Sequence, residues 1–280
     1  TAIRFPTADT FSVETGGSER LRIDSSGNVG INQNNPTNLL EIHPASNHDG
    51  ITLKDSGTIY PSITFDANRT GSDEFLGVIR GKWNDTAVAS IILETGTDTT
   101  NKDDGVISFR TASAGSPAER ARITPDGKIL IGNNTSESVY GLHHQLQVEG
   151  TNGATSSASF TRNSNDADPP YLTLAKTRGT SDGDETIVQD DDKVGVISFN
   201  AADGTNKDHM VAQIGASIDG TPGANDLPGR LVFSTTADGA NSSSERLRIT
   251  SDGKFGFNDS DPERTIDVKG ANCMIQLEGT

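Results

Sequence analysis

The chain has 280 residues, of which only 31% are hydrophobic and 5% aromatic, and it carries a net charge of −16. That length would suit two ordinary domains, but this composition cannot fill a large private core. A pI near 4.6 disfavours nucleic acid, whose affinity comes mainly from Lys and Arg neutralising phosphates, and it disfavours anionic membrane surfaces.

No apolar run reaches the roughly 18 residues of a spanning helix, and no signal-peptide pattern is legible. Low hydrophobicity with high net charge is also the composition of disordered chains. Regularly spaced short runs of Val, Ile and Phe argue against disorder and for thin β units that complete their cores against neighbouring chains or repeats. A single cysteine, Cys273 in "CMIQL", excludes an intrachain disulfide framework and reads as apolar filler.

The first element, residues 18–31, reads "SERLRIDSSGNVGI" and returns as "AERARITPDGKILI" at 118–131 and "SERLRITSDGKFGF" at 244–257. In "TPDG" the proline, aspartate and glycine match a type I turn closed by a left-handed glycine, the three-residue hairpin loop with a bulge. Gly27, Gly127 and Gly253 hold that place and are expected to have positive φ. The turn sets a register in which Thr124 faces Lys128, Ile123 faces Ile129, Arg122 faces Leu130 and Ala121 faces Ile131.

Alternation then places Ala121, Ile123, Ile129 and Ile131 on one face, with Leu21, Ile23, Val29 and Ile31, and Leu247, Ile249, Phe255 and Phe257, in the other copies. The opposite face takes Arg20 with Arg22, Arg120 with Arg122, and Arg246 with Arg248. Gly30 and Gly256, facing the second arginine, leave room for a long side chain to lie flat. Glu19, Glu119 and Glu245 fall on the apolar parity at the strand's outer end. Recurrence at the same spot in each copy suits pairing with an arginine of a neighbouring chain, or contact with solvent, better than catalysis.

A strand follows each hairpin, "LLEI" at 39, "LQV" at 146 and "TIDV" at 265. Upstream, "LGVIRGKWND" parallels "VGVISFNAAD", "VASIILETGTD" parallels "VAQIGASIDGT", and "GVISFRT" parallels "GRLVFST". Opening strands are expected in "ITLKDSGT" at 51, "YLTLAKTRGT" at 171 and "MIQLEGT" at 274. The unit therefore spans roughly 100–125 residues and about eight short strands. Residues 1–45 are the C-terminal part of a repeat, 46–150 and 151–270 are full repeats, and 271–280 start another, as in a segment of a longer polypeptide. No long window shows helical spacing, so the fold class is all-β, an elongated array of tandem β-hairpin and meander repeats.

Other residues invite chemistry. The acidic stretch "SDGDETIVQDDDK", 181–193, offers oxygens for calcium, but its spacing matches neither an EF-hand nor a nonapeptide β-roll, so it reads as a solvated loop. His143 and His144 are adjacent, so in a strand they point apart, and their repeat equivalents include Asn38 and Arg264; they are not read as metal ligands. Asn-x-Ser/Thr triplets at Asn68, Asn84, Asn133 and Asn241 are what this composition produces by chance. Trp83 in "GKWND" could stack on sugar, although core or subunit contact is the commoner use. No nucleophile elbow, phosphate loop, zinc spacing or distinctive carboxylate pair occurs, so the chain is read as a non-enzyme with no catalytic, cofactor or metal residues.

The block "ERLRIDSSGNVGINQNNPTNLLEI", with "ERLRITSDGKFGFNDSDPERTIDV", resembles the phrase common in bacteriophage tail fibre proteins, and "GVISF", "VAQIGASIDGT" and "GRLVFSTTADG" are similar to the strands that precede it there. The resemblance covers nearly the whole chain. It implies an intertwined homotrimeric β fibre on the virion, outside the cell, that bears the host-attachment apparatus, with other tail proteins as partners. Often such fibres end in a self-cleaving chaperone domain carrying a serine and lysine pair, of which this stretch shows none. The second copy departs from the phrase at "ILIGNNTSESVYGLHH", where a compact proline turn is the rule. The reading is a structural shaft segment; the alternatives are a module that binds host surface glycan and, further off, a tailspike depolymerase.

Overall fold

The computed structural model describes residues 1–46, 51–55, 57, 60–271 and 273, and among them it is all-β, with no helix. Two compact units divide the chain, Thr1–Phe65 and Asp66–Thr280.

The first unit holds one five-stranded sheet in sequence order, β1 (Ala2–Arg4), β2 (Phe11–Thr15), β3 (Ser18–Ile23), β4 (Val29–Ile31) and β5 (Leu40–Ile42). The second unit holds two six-stranded sheets. One comprises β6 (Phe75–Trp83), β7 (Thr86–Thr95), β8 (Gly105–Thr111), β9 (Ala118–Ile123), β10 (Ile129–Ile131) and β11 (Leu146–Val148). The other comprises β12 (Lys193–Ala201), β13 (His209–Ile218), β14 (Gly229–Thr236), β15 (Ser243–Ile249), β16 (Phe255–Phe257) and β17 (Ile266–Val268). Each sheet is an antiparallel meander whose last strand pairs in parallel. A parallel return normally needs a long crossover. Here the strands involved are three residues long, so a loop such as 32–39 suffices.

Glycine makes the central hairpin possible. Gly27, Gly127 and Gly253 have φ of +82°, +81° and +81°, and each donates its N–H to the residue three back, Asp24, Thr124 or Thr250, at 3.0, 2.9 and 3.0 Å. The first turn residue adds its side chain: Asp24 Oδ1 accepts from the Asn28 amide at 2.9 Å, and the Thr124 and Thr250 hydroxyls accept from the amides of Lys128 and Lys254 at 3.0 Å. The register is Ile123↔Ile129, Arg122↔Leu130 and Ala121↔Ile131, with the equivalent pairs in both other copies.

Two features differ from the sequence reading. Among the described residues each full repeat contributes six strands rather than about eight, and the opening stretches 51–55 and 171–180 run without ladder partners. Their apolar alternation suits a strand, but they form no ladder with any described strand; Leu174 packs beside Gly195 of β12 through its side chain. The opening strand expected at 274 lies outside the described residues. The second difference is a β-bulge in each sheet, between Val13/Glu14, Phe109/Arg110 and Phe233/Ser234, opposite Arg20, Arg120 and Arg246. One extra residue on the β3, β9 or β15 strand moves what precedes it to the other face.

Candidate functional site

Cross-strand pairing assembles continuous apolar rows. In the second sheet one row runs Ile79, Ile91, Phe109, Ala121, Ile131, Val148 from edge to edge, and the next runs Gly77, Leu93, Ile107, Ile123, Ile129, Leu146. The third sheet repeats this with Ile197, Ile214, Phe233, Leu247, Phe257, Val268. The first has Ile3, Val13, Leu21, Ile31, Ile42. Within one chain this face is uncovered: Ile79 is 60% exposed, Leu146 61%, and Ile131 and Phe257 are each 40% exposed.

The buried face is the arginine one. Ile92, Val106 and Leu130 sit there with Ser108, Arg122 and Glu94. The chain covers this face itself: Asp73, before β6, lies 3.6 Å from Arg122, and the Ser260 carbonyl, in the loop after β16, accepts from Arg248 at 2.6 Å.

The recurrent glutamates belong to this covered face, contrary to their apparent parity. Glu19 takes both forks of Arg22 at 2.7 Å, Glu119 those of Arg122 at 2.6 and 2.9 Å, and Glu245 those of Arg248 at 2.6 and 2.9 Å. In a regular strand, residues three apart point to opposite faces, and the bulge brings them together. Each carboxylate holds its arginine above the ordinary guanidinium value, chiefly through these hydrogen bonds. The first arginine of each copy goes elsewhere: Arg20, Arg120 and Arg246 donate to Thr15, Thr111 and Thr235 at 3.3, 3.1 and 3.0 Å.

In the second sheet the pair grows into a network with residues not singled out from the sequence. Glu94, 1% exposed, accepts from the Ser108 hydroxyl and from Arg110 Nη2, both at 2.7 Å, and lies 3.8 Å from Arg122. The available signal was polar residues on one face of β7, β8 and β9, Ser108 opposite Arg122 and Glu94 one face position along, legible only once the register was known. The third sheet arranges its charges differently. Gly215 and Ser217 replace Ile92 and Glu94, leaving a recess of about 260 Å³. Two arginines line it: Arg230, paired with Asp191 and with Asp219 at 3.1 Å, and Arg248, held by Glu245.

Gly30 and Gly256 face the second arginine, but the space beside them goes mainly to backbone. A Cβ on either would sit on the carbonyl oxygen of Gln33 or Asp259, in the loop that returns to the parallel strand; only at Gly256 does the arginine stem also approach. The closing strand ties this loop down. Glu41 accepts from the Thr37 amide at 2.8 Å and from Gln33 Nε2 at 2.9 Å, Gln147 accepts from the Glu137 amide at 2.9 Å, and Asp267 accepts from the Glu263 amide at 3.1 Å.

The acidic stretch 181–193 directs its carboxylates at backbone and arginine. Asp184 caps the amides of Thr180 and Ser181, Asp190 accepts from the Gly220 amide at 2.7 Å, and Asp192 makes a two-pronged pair with Arg178 that holds its carboxyl well below the usual range. His143 meets the Ser136 hydroxyl at 3.1 Å. Among the described residues no three His, Cys, Asp or Glu side chains are grouped to hold a metal ion. Trp83 ends β6 beside the turn Asn84-Asp85 and is 79% exposed.

No family model matches the chain, and no curated protein matches it. Two solved structures are similar in fold. The carboxy-terminal domain of the bacteriophage T5 L-shaped tail fibre matches with a TM-score of 0.59 and 16% identity, over 83% of this chain and 100% of that one. The same domain with its intra-molecular chaperone domain matches with a TM-score of 0.60 and 16% identity, over 83% of this chain and 69% of that one. This chain therefore shares the fold of a phage tail-fibre domain.

Proposed function

We propose that the chain is a structural, non-enzymatic shaft segment of a bacteriophage tail fibre, a homotrimer on the virion whose partners are its own copies and other tail proteins. The observation that carries this reading is the uncovered apolar face repeated in all three sheets. Rows crossing the full sheet width, their outer side chains one-third to two-thirds exposed, are an interface awaiting a partner. Covering the exposed half of each such side chain contributes ~1 kcal/mol. Because the face recurs at three levels, its natural occupant is the same face of other copies, in the trimeric stoichiometry that the sequence resemblance implies.

A second surface supports intertwining. Over residues 157–177 no backbone group hydrogen-bonds to the backbone of another described residue, and Phe160, Tyr171 and Leu172 are exposed. An extended, unpaired and partly apolar stretch is suited to pairing with a neighbouring chain.

The shaft role is tested by adding purified protein in excess to the phage that encodes it. Adsorption should be unchanged, while antibodies raised against the protein decorate the fibres. Saturable binding to host cells with loss of adsorption would replace this reading by the receptor-binding one, and Trp83 would be the first side chain to remove.

A further inference from the structure

The loop after β10 is the departure from the repeat, and the assembly described above makes no use of it. Its cause lies in one residue. Where the first and third sheets have Gly30 and Gly256, the second has Leu130, which is fully buried. The returning loop cannot lay its backbone on a leucine as it does on the glycines, so residues 132–145 take a longer path outwards. They form a small tongue whose tip is the turn Val139–Leu142, bridged in both directions at 3.0 and 3.1 Å, with Tyr140 and Gly141 at φ +58° and +70°.

The base of the tongue is fastened to its own sheet. Gln147, on β11, accepts from the Glu137 amide and donates to the Ser136 hydroxyl, both at 2.9 Å. The tip reaches the next sheet. Asp208 Oδ1, in the hairpin between β12 and β13, accepts from the Gly141 amide at 2.8 Å and from the Ser138 hydroxyl at 3.3 Å. The Tyr140 amide donates to the Lys207 carbonyl at 3.4 Å, and Lys207 Nζ lies 3.4 Å from Glu149, just past β11. Asp208 is itself positioned by the hairpin, where its amide donates to Asn206 Oδ1 at 3.0 Å. No strand of the second sheet brings its Cα atoms within 8 Å of a strand of the third. The two sheets nonetheless fall within one compact unit.

We infer that the tongue is a clasp, with Asp208 as its catch, that locks the third sheet to the second so that the two open and unfold together. A carboxylate accepting a backbone amide and a hydroxyl at once is a directional tie, shorter than the Tyr140–Lys207 and Lys207–Glu149 contacts that accompany it. The clasp lies within one chain, so it does not depend on the proposed oligomeric state.

Hydrogen exchange and calorimetry on the full chain test it. In the wild type the Gly141 amide should be protected, and the two sheets should melt in a single transition. Asp208→Ala should raise Gly141 exchange at least about tenfold and split or broaden that transition. Asp208→Asn, which keeps an acceptor oxygen, should restore most of both. If Asp208→Ala leaves Gly141 exchange and the transition unchanged, or if Asp208→Asn is as damaged as the alanine variant, the clasp is refuted.

Discussion

Replacing Arg122 by alanine should damage the second sheet far more than the same change at Arg22 damages the first. Arg122 is 8% exposed, makes two hydrogen bonds to Glu119, and lies 3.8 Å from Glu94 and 3.6 Å from Asp73. Its removal leaves Glu119 with only Arg110, at 3.6 Å, and strips a counter-charge from a glutamate that is 1% exposed. Deleting one partner of a fully buried pair costs about 3–5 kcal/mol. Here Arg110 stays 2.7 Å from Glu94 and 3.6 Å from Glu119, so the loss is about 2–3 kcal/mol, most of it from the desolvated Glu94. Arg22 has Glu19 as its one carboxylate within bonding distance, both side chains are about one-fifth exposed, and the freed carboxylate can reach water, so the cost there is ~1 kcal/mol. Urea unfolding at fixed protein concentration measures both losses. The double variant Glu119→Ala/Arg122→Ala should be more stable than Arg122→Ala, since it removes the stranded charge. Equal losses for Arg22→Ala and Arg122→Ala, or a double variant weaker than the single, would refute the claim that the arginine face is the buried one.

Other outcomes follow from the hairpin and its return loop. Gly27→Ala meets open space but a φ of +82°, so only backbone strain of about 1–2 kcal/mol is expected. Gly30→Ala instead drives a Cβ into the Gln33 carbonyl, and should loosen the parallel pair so that the Val29 and His43 amides exchange faster while the turn stays intact. Hydrogen bonds from Thr37 and Gln33 lower the Glu41 carboxyl from the ordinary 4.5 to about 2. A depressed folded-state value means that this stabilisation is complete above about pH 4.5 and disappears as the pH falls to about 2. An acid unfolding series on Glu41→Gln should therefore show a shallower fall in stability over that window than the wild type; an identical curve would remove Glu41 from the account.

The hairpins were legible from the sequence because a glycine that must adopt positive φ fixes the facing pairs on both sides, from Leu21↔Ile31 to Ile249↔Phe255. The same reasoning misplaced Glu19, Glu119 and Glu245, since strict alternation has no room for a bulge. A hint was present: glutamate and arginine three apart, repeated in three copies, can pair in a strand only if one residue is extra. Burial was also read on too little information. Alternation separates an apolar face from a polar one, but it does not say which face its own chain will cover, and here loops bearing Asp73 and Ser260 cover the arginines. The expected strands at 51 and 171 have the right pattern of side chains. Strand formation also needs backbone hydrogen bonds to a neighbour, and neither stretch makes ladder bonds to a described strand of this chain, although β6 and β12 are sheet edges.

The central claim is that the apolar rows of each sheet are closed by other copies of the chain. Native mass spectrometry of the refolded protein tests it most directly. The account predicts a species of three times 29.5 kDa that dissociates only with loss of β structure, and in which Ile79→Asp or Ile131→Asp prevents assembly. A stable, cooperatively folded monomer, unaffected by either aspartate, would contradict it.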